Sequence, residues 1–155
     1  MPVSGLAHFL VATDDIAATR DWYCAVLGLV EGPHPDFNFP VCWLYADGRD
    51  VVHIAQGAGA AGSNQKAYLG RVGERAAATG ALDHVAFHAS GLEASLERLK
   101  RHGVEYFERR ADDQALYQVF CYDPNGIKVE LNFPAAEAVG RVPEVVAVKL
   151  SRQGS

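Results

Sequence analysis

The sequence contains few of the residues and segments that mark secreted or membrane-bound proteins. Its three cysteines, Cys24, Cys42 and Cys121, are widely spaced, so neither a disulfide framework nor a paired-thiolate zinc site is expected. No apolar run approaches the length needed to cross a bilayer, and the first residues lack the basic start and apolar stretch of a signal peptide. These absences predict a protein of the reducing cytoplasm without a membrane partner.

Positive charge is also in short supply. Fourteen lysines and arginines stand against nineteen acidic residues, which gives a formal net charge of -5. Nucleic acids and anionic membranes would repel such a chain unless it carried a local basic patch. The densest basic residues are mixed with acidic ones and predict a solvated surface: Lys100, Arg101, Arg109 and Arg110 lie among Glu97, Glu105 and Glu108. A small molecule is therefore the expected partner, and not nucleic acid.

The chain repeats one pattern. Leu6–Val11 and Leu82–Phe87 are short apolar runs with a histidine at the third position. A helical stretch, a short strand and a hairpin follow each run, in the order β-α-β-β-β. One such unit can hardly bury a core alone, whereas two can. We therefore predict an α+β fold in which two tandem βαβββ modules form a single domain over residues 1–155.

Turn and capping residues predict where the elements begin and end. Asp14 or Asp15 is expected to cap the first helix, and Gly28 to end it. Ser90 and Glu93 fit a capping box at the start of the second helix. The hairpin turns are predicted at Asp47–Gly48 and Asp123–Gly126.

These elements divide the chain into four parts. Module 1 spans about residues 5–57 and module 2 about residues 81–133. Residues 58–80 between them are rich in Ala and Gly and longer than an ordinary connection, which predicts a linker, a flap or both. The tail, residues 134–155, contains apolar residues that can form an extra strand or a dimer arm: Val145, Val146, Val148 and Leu150.

Four polar side chains occupy corresponding places in the two modules. His8 is expected on the opening strand of module 1 and His53 on its closing strand, and His84 and Glu130 take the same places in module 2. Modules packed about a pseudo-twofold axis would let all four converge on one point. Imidazole and carboxylate groups suit divalent Fe, Mn, Ni, Co or Zn, and such a set leaves positions open for a substrate. The pattern predicts one divalent ion.

Each of these residues also has an ordinary interpretation. A single histidine on a strand is more often a core or surface residue with a common hydrogen bond. Glu130 alone can be an exposed strand residue, but a carboxylate within Val129-Glu130-Leu131 is costly to bury unless it is paired or bound to metal. The correspondence of all four positions favours the metal site.

Several segments carry a family resemblance. Through Leu82–Phe87, Trp22-Tyr23, Leu27-Gly28-Leu29 and Asp123–Glu130, residues 5–133 resemble the vicinal oxygen chelate superfamily. Phe37–Tyr45 and Val52–Ile54 look closest to a glyoxalase-like subgroup of it. The resemblance implies a half-open barrel around one divalent ion, with His8, His84 and Glu130 as ligands, and a homodimer.

The chain departs from two enzymes of that superfamily. Glyoxalase I usually has a glutamate ligand where His53 stands, and this change raises the net charge of the site by one and removes a base. Extradiol dioxygenases have a tyrosine at the position of Phe120 and a histidine somewhat earlier, but residues 111–114 contain none. The side chains that can replace those acid–base groups, given a different geometry, are Tyr117, Tyr122 and His88.

The resemblance also implies a chemistry. A substrate binds the ion through two neighbouring oxygens, the ion acts as a Lewis acid, and Glu130 can serve as a general base. We therefore predict a lyase or isomerase of glyoxalase I type. The alternatives are an Fe(II) extradiol-type dioxygenase and a non-catalytic protein that binds a drug or another ligand. The candidates for the pocket wall, which can equally be core residues, are Phe37, Phe39, Trp43, Gln118 and Phe120.

Overall fold

The computed structural model describes residues 2–57, 62–65 and 79–143. The chain divides into two compact units, Met1–Ala77 and Ala78–Ser155, which contain modules 1 and 2 respectively. Most of the predicted linker lies outside the described residues, and so do the apolar tail residues Val145, Val146, Val148 and Leu150. Within the described ranges, no helix combines the length and the apolar character needed to cross a membrane.

Module 1 is a four-stranded sheet with one helix. Its elements are β1 (Phe9–Thr13), α1 (Ile16–Leu27), β2 (Val30–Gly32), β3 (Val41–Ala46) and β4 (Arg49–Gln56). The strand order is β1-β4-β3-β2, with β1 and β4 parallel and the other neighbours antiparallel. Helix α1 packs against β3 and β4. The last strand of the module therefore lies in the middle of its sheet.

Module 2 repeats this arrangement. Its elements are β5 (His84–His88), α2 (Leu92–Arg101), β6 (Tyr106–Ala111), β7 (Leu116–Tyr122) and β8 (Lys128–Pro134), with 3₁₀ turns at Asp112–Gln114 and Ala135–Ala138. The order is β5-β8-β7-β6, and β5 and β8 are parallel. Among the strands that the structure describes, the outermost ones of each sheet do not pair with each other, so both sheets are open. The predicted α+β fold of two tandem βαβββ modules is confirmed.

The first helix begins and ends as the sequence predicts. The Asp15 side chain accepts a hydrogen bond from the Ala18 amide at 2.9 Å and caps α1. Gly28 ends the helix with a φ of 76°, a left-handed conformation that favours glycine.

The predicted capping box of the second helix is wrong. The residue that caps α2 is Gly91, with a φ of 77°, and it has no side chain to offer. The Leu92 amide instead donates to Glu137 Oε2 at 2.7 Å, which places a negative charge at the helix N-terminus. Because Glu137 follows β8, 45 residues further along the chain, no local pattern around Ser90 could indicate this contact.

Both opening strands start later than predicted. The pairing of β1 with β4 begins at Phe9 and Val52, so His8 directly precedes the strand and is exposed. In module 2, Leu82 and Asp83 precede β5. Residues 2–8, which precede β1, are exposed, with Leu6 at 85% of its full exposure, and they gain no apolar burial from strand pairing.

A buried ion pair joins the residues after β8 to module 2. Arg141 Nε donates to Glu108 Oε1 at 2.6 Å, and the Tyr117 hydroxyl donates to the same oxygen at 3.0 Å. The Glu108 side chain is completely buried. Burial and the neighbouring Glu108 raise the pKa of Tyr117 to about 12, and the bond to Glu108 also raises the pKa of Arg141. Both donors therefore keep their protons through the neutral pH range.

We expect Arg141→Met to lower the free energy of unfolding by about 3 kcal/mol, because it leaves a buried carboxylate without its charged partner. Urea denaturation at neutral pH measures this loss. Glu93→Gln is the matched control: Glu93 accepts from Arg141 Nη1 at 2.9 Å, but its side chain is 71% exposed. The control should cost less than about 1 kcal/mol. Equal losses in the two variants would contradict the assignment.

Candidate metal centre

Module 1 contains a group of three side chains of the types that bind metal ions. One donor atom each from His8, Asp50 and His53 lies within 4.8 Å of the others. His53 Nε2 and Asp50 Oδ2 are hydrogen-bonded at 2.7 Å. His53 is only 7% exposed, and burial lowers its pKa, while the bond to it lowers the pKa of Asp50. The group therefore combines a neutral buried imidazole with an ionised carboxylate.

A β-bulge brings Asp50 to this group. On a regular strand, residues three positions apart point to opposite faces. In the β3–β4 pairing, Leu44 faces Val52 and Tyr45 faces Asp50, so Val51 is an extra residue. The extra residue restores Asp50 to the face of His53. Sequence reasoning missed Asp50 because a strand with period two places it on the wrong side, and nothing in the sequence marks the bulge.

The His53 ring lies between two other rings. Its centroid is 3.6 Å from that of His8, with an 18° angle between the planes, and 3.8 Å from that of Trp43, with a 6° angle. A metal ion binds an imidazole nitrogen in the plane of the ring. Two nearly parallel planes do not meet within bonding distance, so His8 or His53 must turn out of the stack for both to bind one ion.

The predicted aromatic wall of module 1 lines a small pocket. Phe37, Phe39 and Trp43 border it together with His53 and Leu10. The Phe37 ring is 5.5 Å from Phe39 and 6.0 Å from Trp43, measured between centroids. The wall is continuous with the His53 stack through Trp43.

In module 2, Glu130 is the centre of a hydrogen-bonded chain. Its Oε2 is 3.1 Å from His84 Nε2, and its Oε1 accepts from Gln118 Nε2 at 2.8 Å. Gln118 Nε2 also donates to Asn132 Oδ1 at 2.9 Å. Glu130 is 6% exposed, whereas the His84 side chain is 38% exposed. A buried carboxylate and a more accessible imidazole therefore lie in direct contact.

Asp83 holds the other side of the His84 ring. Its Oδ2 is 2.7 Å from His84 Nδ1 and 2.7 Å from Lys128 Nζ. The bond to His84, followed by that to Lys128, lowers the pKa of Asp83. An ionised Asp83 can only accept, so His84 Nδ1 donates this hydrogen bond, and the bond orients the ring with Nε2 toward Glu130. Sequence reasoning noted Asp83 in its motif but gave it no role.

Arg109, on the neighbouring strand β6, contacts both Gln118 and Phe120. Arg109 donates from Nε and Nη2 to Gln118 Oε1 at 2.8 and 2.6 Å. Its guanidinium also lies 5.0 Å from the centroid of Phe120, which stacks on Phe107 at 4.7 Å. Arg109 is exposed, as expected for a solvated surface residue. It also orients Gln118, because the amide oxygen faces the guanidinium and the amide nitrogen then faces Glu130.

Tyr117 lies on the face of β7 opposite to the hydrogen bonds of Gln118 with Glu130 and Asn132. It is fully buried, and its hydroxyl donates to Glu108. Gln118 and Phe120 flank Val119 in β7 and lie on the same face of the sheet as Glu130. Tyr117 therefore does not provide an acid–base group next to Glu130.

The strand registers of the two modules agree around His53 and Glu130. Leu10 and Trp43 both pair with His53. Ala86 and Phe120 pair in the same way with Glu130. His8 lies two positions before Leu10, and His84 lies two positions before Ala86. His53 therefore corresponds to Glu130, His8 to His84, and Trp43 to Phe120.

This architecture has a known family. The model of the Glyoxalase/Bleomycin resistance protein/Dioxygenase superfamily matches residues 5–131, and the chain belongs to that superfamily. Among curated proteins, none matches the chain significantly.

Solved structures share the fold at low sequence identity. Lactoylglutathione lyase from Agrobacterium tumefaciens is 18% identical with a TM-score of 0.62, over 86% of this chain and 96% of that one. The fosfomycin resistance protein FosX from Listeria monocytogenes is 20% identical with a TM-score of 0.59, over 87% and 97%. TnmS3, an antibiotic binding protein from Streptomyces sp. CB03234, is 18% identical with a TM-score of 0.59, over 86% and 98%. The fold thus occurs in both enzymes and binding proteins.

The stack on Trp43 gives an optical test of metal binding near His53. In a Trp22→Phe background, which leaves Trp43 as the sole tryptophan, added Zn²⁺ should lower the fluorescence, because a metal-polarised imidazole in contact with indole quenches its excited state. A His53→Gln change in the same background should remove the response. An unchanged emission, or an equal response without His53, would count against a metal at this position.

Proposed function

We propose that the protein is a divalent-metal-dependent enzyme that acts on a small molecule through two neighbouring oxygens, as a lyase or isomerase. His8, His53, His84 and Glu130 are the proposed ligands, and Fe, Mn, Ni, Co and Zn are the candidate ions. The observation that carries this proposal is the agreement of the strand registers, which gives each module one pair of ligand-type residues at the same positions. A homodimer and a cytoplasmic location stay predictions.

Glu130 supports a metal because it is buried next to groups that are not permanent cations. Within the described residues, its partners are the Gln118 amide and the His84 imidazole, and neither carries a permanent positive charge. A buried carboxylate is normally paired with a cation or bound to a metal. The donor set therefore fits a divalent ion.

The residues around Glu130 suit a proton transfer. When bound, the ion would supply Lewis-acid polarisation of a substrate oxygen. Glu130 Oε2 is the proposed base, while Gln118 fixes the direction of the carboxylate through Oε1. In module 1, Trp43, Phe37 and Phe39 would contact the apolar part of the substrate and exclude water.

A binding protein without turnover is the second candidate. The aromatic pocket beside Trp43 favours it, because such a surface can hold an apolar ligand without any chemistry. An antibiotic binding protein with the same fold gives it a precedent. The oxygenase alternative has less support, since Tyr117 faces Glu108 and not Glu130.

Loss of ligand residues tests the metal assignment. After loading with Co²⁺ and dialysis, the wild-type protein should retain one equivalent by elemental analysis, whereas His84→Ala and Glu130→Gln should each retain less than a tenth of that. His102→Ala is the matched control, because His102 is an exposed histidine at the end of α2. Full retention in either site variant would show that this residue is not a required ligand.

Turnover assays separate the candidate functions. The metal-loaded protein should convert the hemithioacetal of methylglyoxal and glutathione, or a related 2-oxoaldehyde adduct, and Glu130→Gln should be inactive because it lacks the base. Oxygen uptake with Fe²⁺ and catechols would instead support the oxygenase. Tight binding of an aromatic ligand with no turnover in either assay would support the binding protein.

A further inference from the structure

We infer that Asp50 is a direct metal ligand, so that His8, Asp50 and His53 form a two-histidine, one-carboxylate set within module 1. This inference rests on the proposed metal-dependent function, which it extends by a ligand that strand periodicity does not predict. The structure supports it by three independent features: the spacing of the donor atoms, the charge of the module 1 pair, and the bulge in β4.

The spacing of the donor atoms fits a shared ion. Asp50 Oδ2 and His53 Nε2 are 2.7 Å apart, and one donor from each of the three residues lies within 4.8 Å of the others. Two neighbouring ligands of one divalent ion, with bonds of about 2.1 Å, stand roughly 3 Å apart. A metal ion bound by both atoms would displace the proton between them and lie to one side of the line that joins Nε2 and Oδ2, which requires the His53 ring to turn.

The charges of the two modules give a second reason. The His84–Glu130 pair of module 2 includes a carboxylate, whereas the corresponding His8–His53 pair of module 1 consists of two imidazoles. Asp50 gives module 1 the missing negative charge. Within the described residues, Asp50 has no lysine or arginine partner, and His53 is the group it bonds. Its charge is therefore available to a divalent cation.

The bulge in β4 is the third feature. Without Val51 as the extra residue, the Asp50 side chain would point to the face opposite His53. Bulges often occur next to functional sites, where they redirect a side chain. Here the redirected side chain is the one that completes the ligand set.

A thiolate at position 50 tests direct contact with the ion. Co²⁺ bound by a thiolate has a near-ultraviolet charge-transfer band that oxygen and nitrogen ligands do not produce. Asp50→Cys loaded with Co²⁺ should show this band in a difference spectrum against the wild-type protein. Arg49→Cys is the matched control, because Arg49 is the adjacent exposed residue of the same strand and pairs with Ala46. A band in Asp50→Cys alone supports the inference, and its absence there overturns it.

Affinity provides the second arm of the experiment. Asp50→Asn should weaken Co²⁺ binding at least 10-fold by calorimetry, and His53→Glu in the same variant should restore most of it by returning a carboxylate. Weakened binding without a band in Asp50→Cys would mean that Asp50 only positions His53, and would overturn the inference. If the wild-type protein binds no Co²⁺, the proposed function itself fails. If it binds Co²⁺ through His84 while the Asp50 variants bind equally well, only the role of Asp50 fails.

Discussion

The parallel pairing of the first and last strands of each module is the constraint on which the candidate site depends. It places β4 and β8 in the middle of their sheets, between an opening strand and a hairpin partner. His53 is therefore flanked by Leu10 and Trp43, and Glu130 by Ala86 and Phe120. Because this pairing is the same in both modules, a repeat in the sequence becomes a repeat in the positions of ligand-type side chains.

Two buried glutamates of module 2 differ in the groups that bond them. Glu108 is paired with Arg141 and receives the Tyr117 hydroxyl, so its charge is balanced within the module. Glu130 is similarly buried but is bonded by a neutral amide and an imidazole. Arg141 offsets the cost of burying Glu108, and a bound cation would do the same for Glu130.

The repeat, the helix ends of α1 and the order of helices and strands along the chain followed from the sequence, because periodicity, caps and turn residues are local signals. The features it did not reveal depend on contacts distant in the chain or on strand geometry. Glu137 reaches the start of α2 from beyond β8, and the bulge at Val51 turns Asp50 toward His53. Neither leaves a mark in the local pattern, so the capping box at Ser90 was wrong and Asp50 was missed.

The central claim is that paired positions of the two modules hold a divalent ion. Anomalous diffraction from crystals of the Co²⁺-loaded protein, measured on either side of the cobalt absorption edge, tests it most directly. The account predicts one strong peak bonded by nitrogens of His8, His53 and His84 and by oxygens of Asp50 and Glu130. Peaks confined to other residues, or none beside His53 and Glu130, would contradict it.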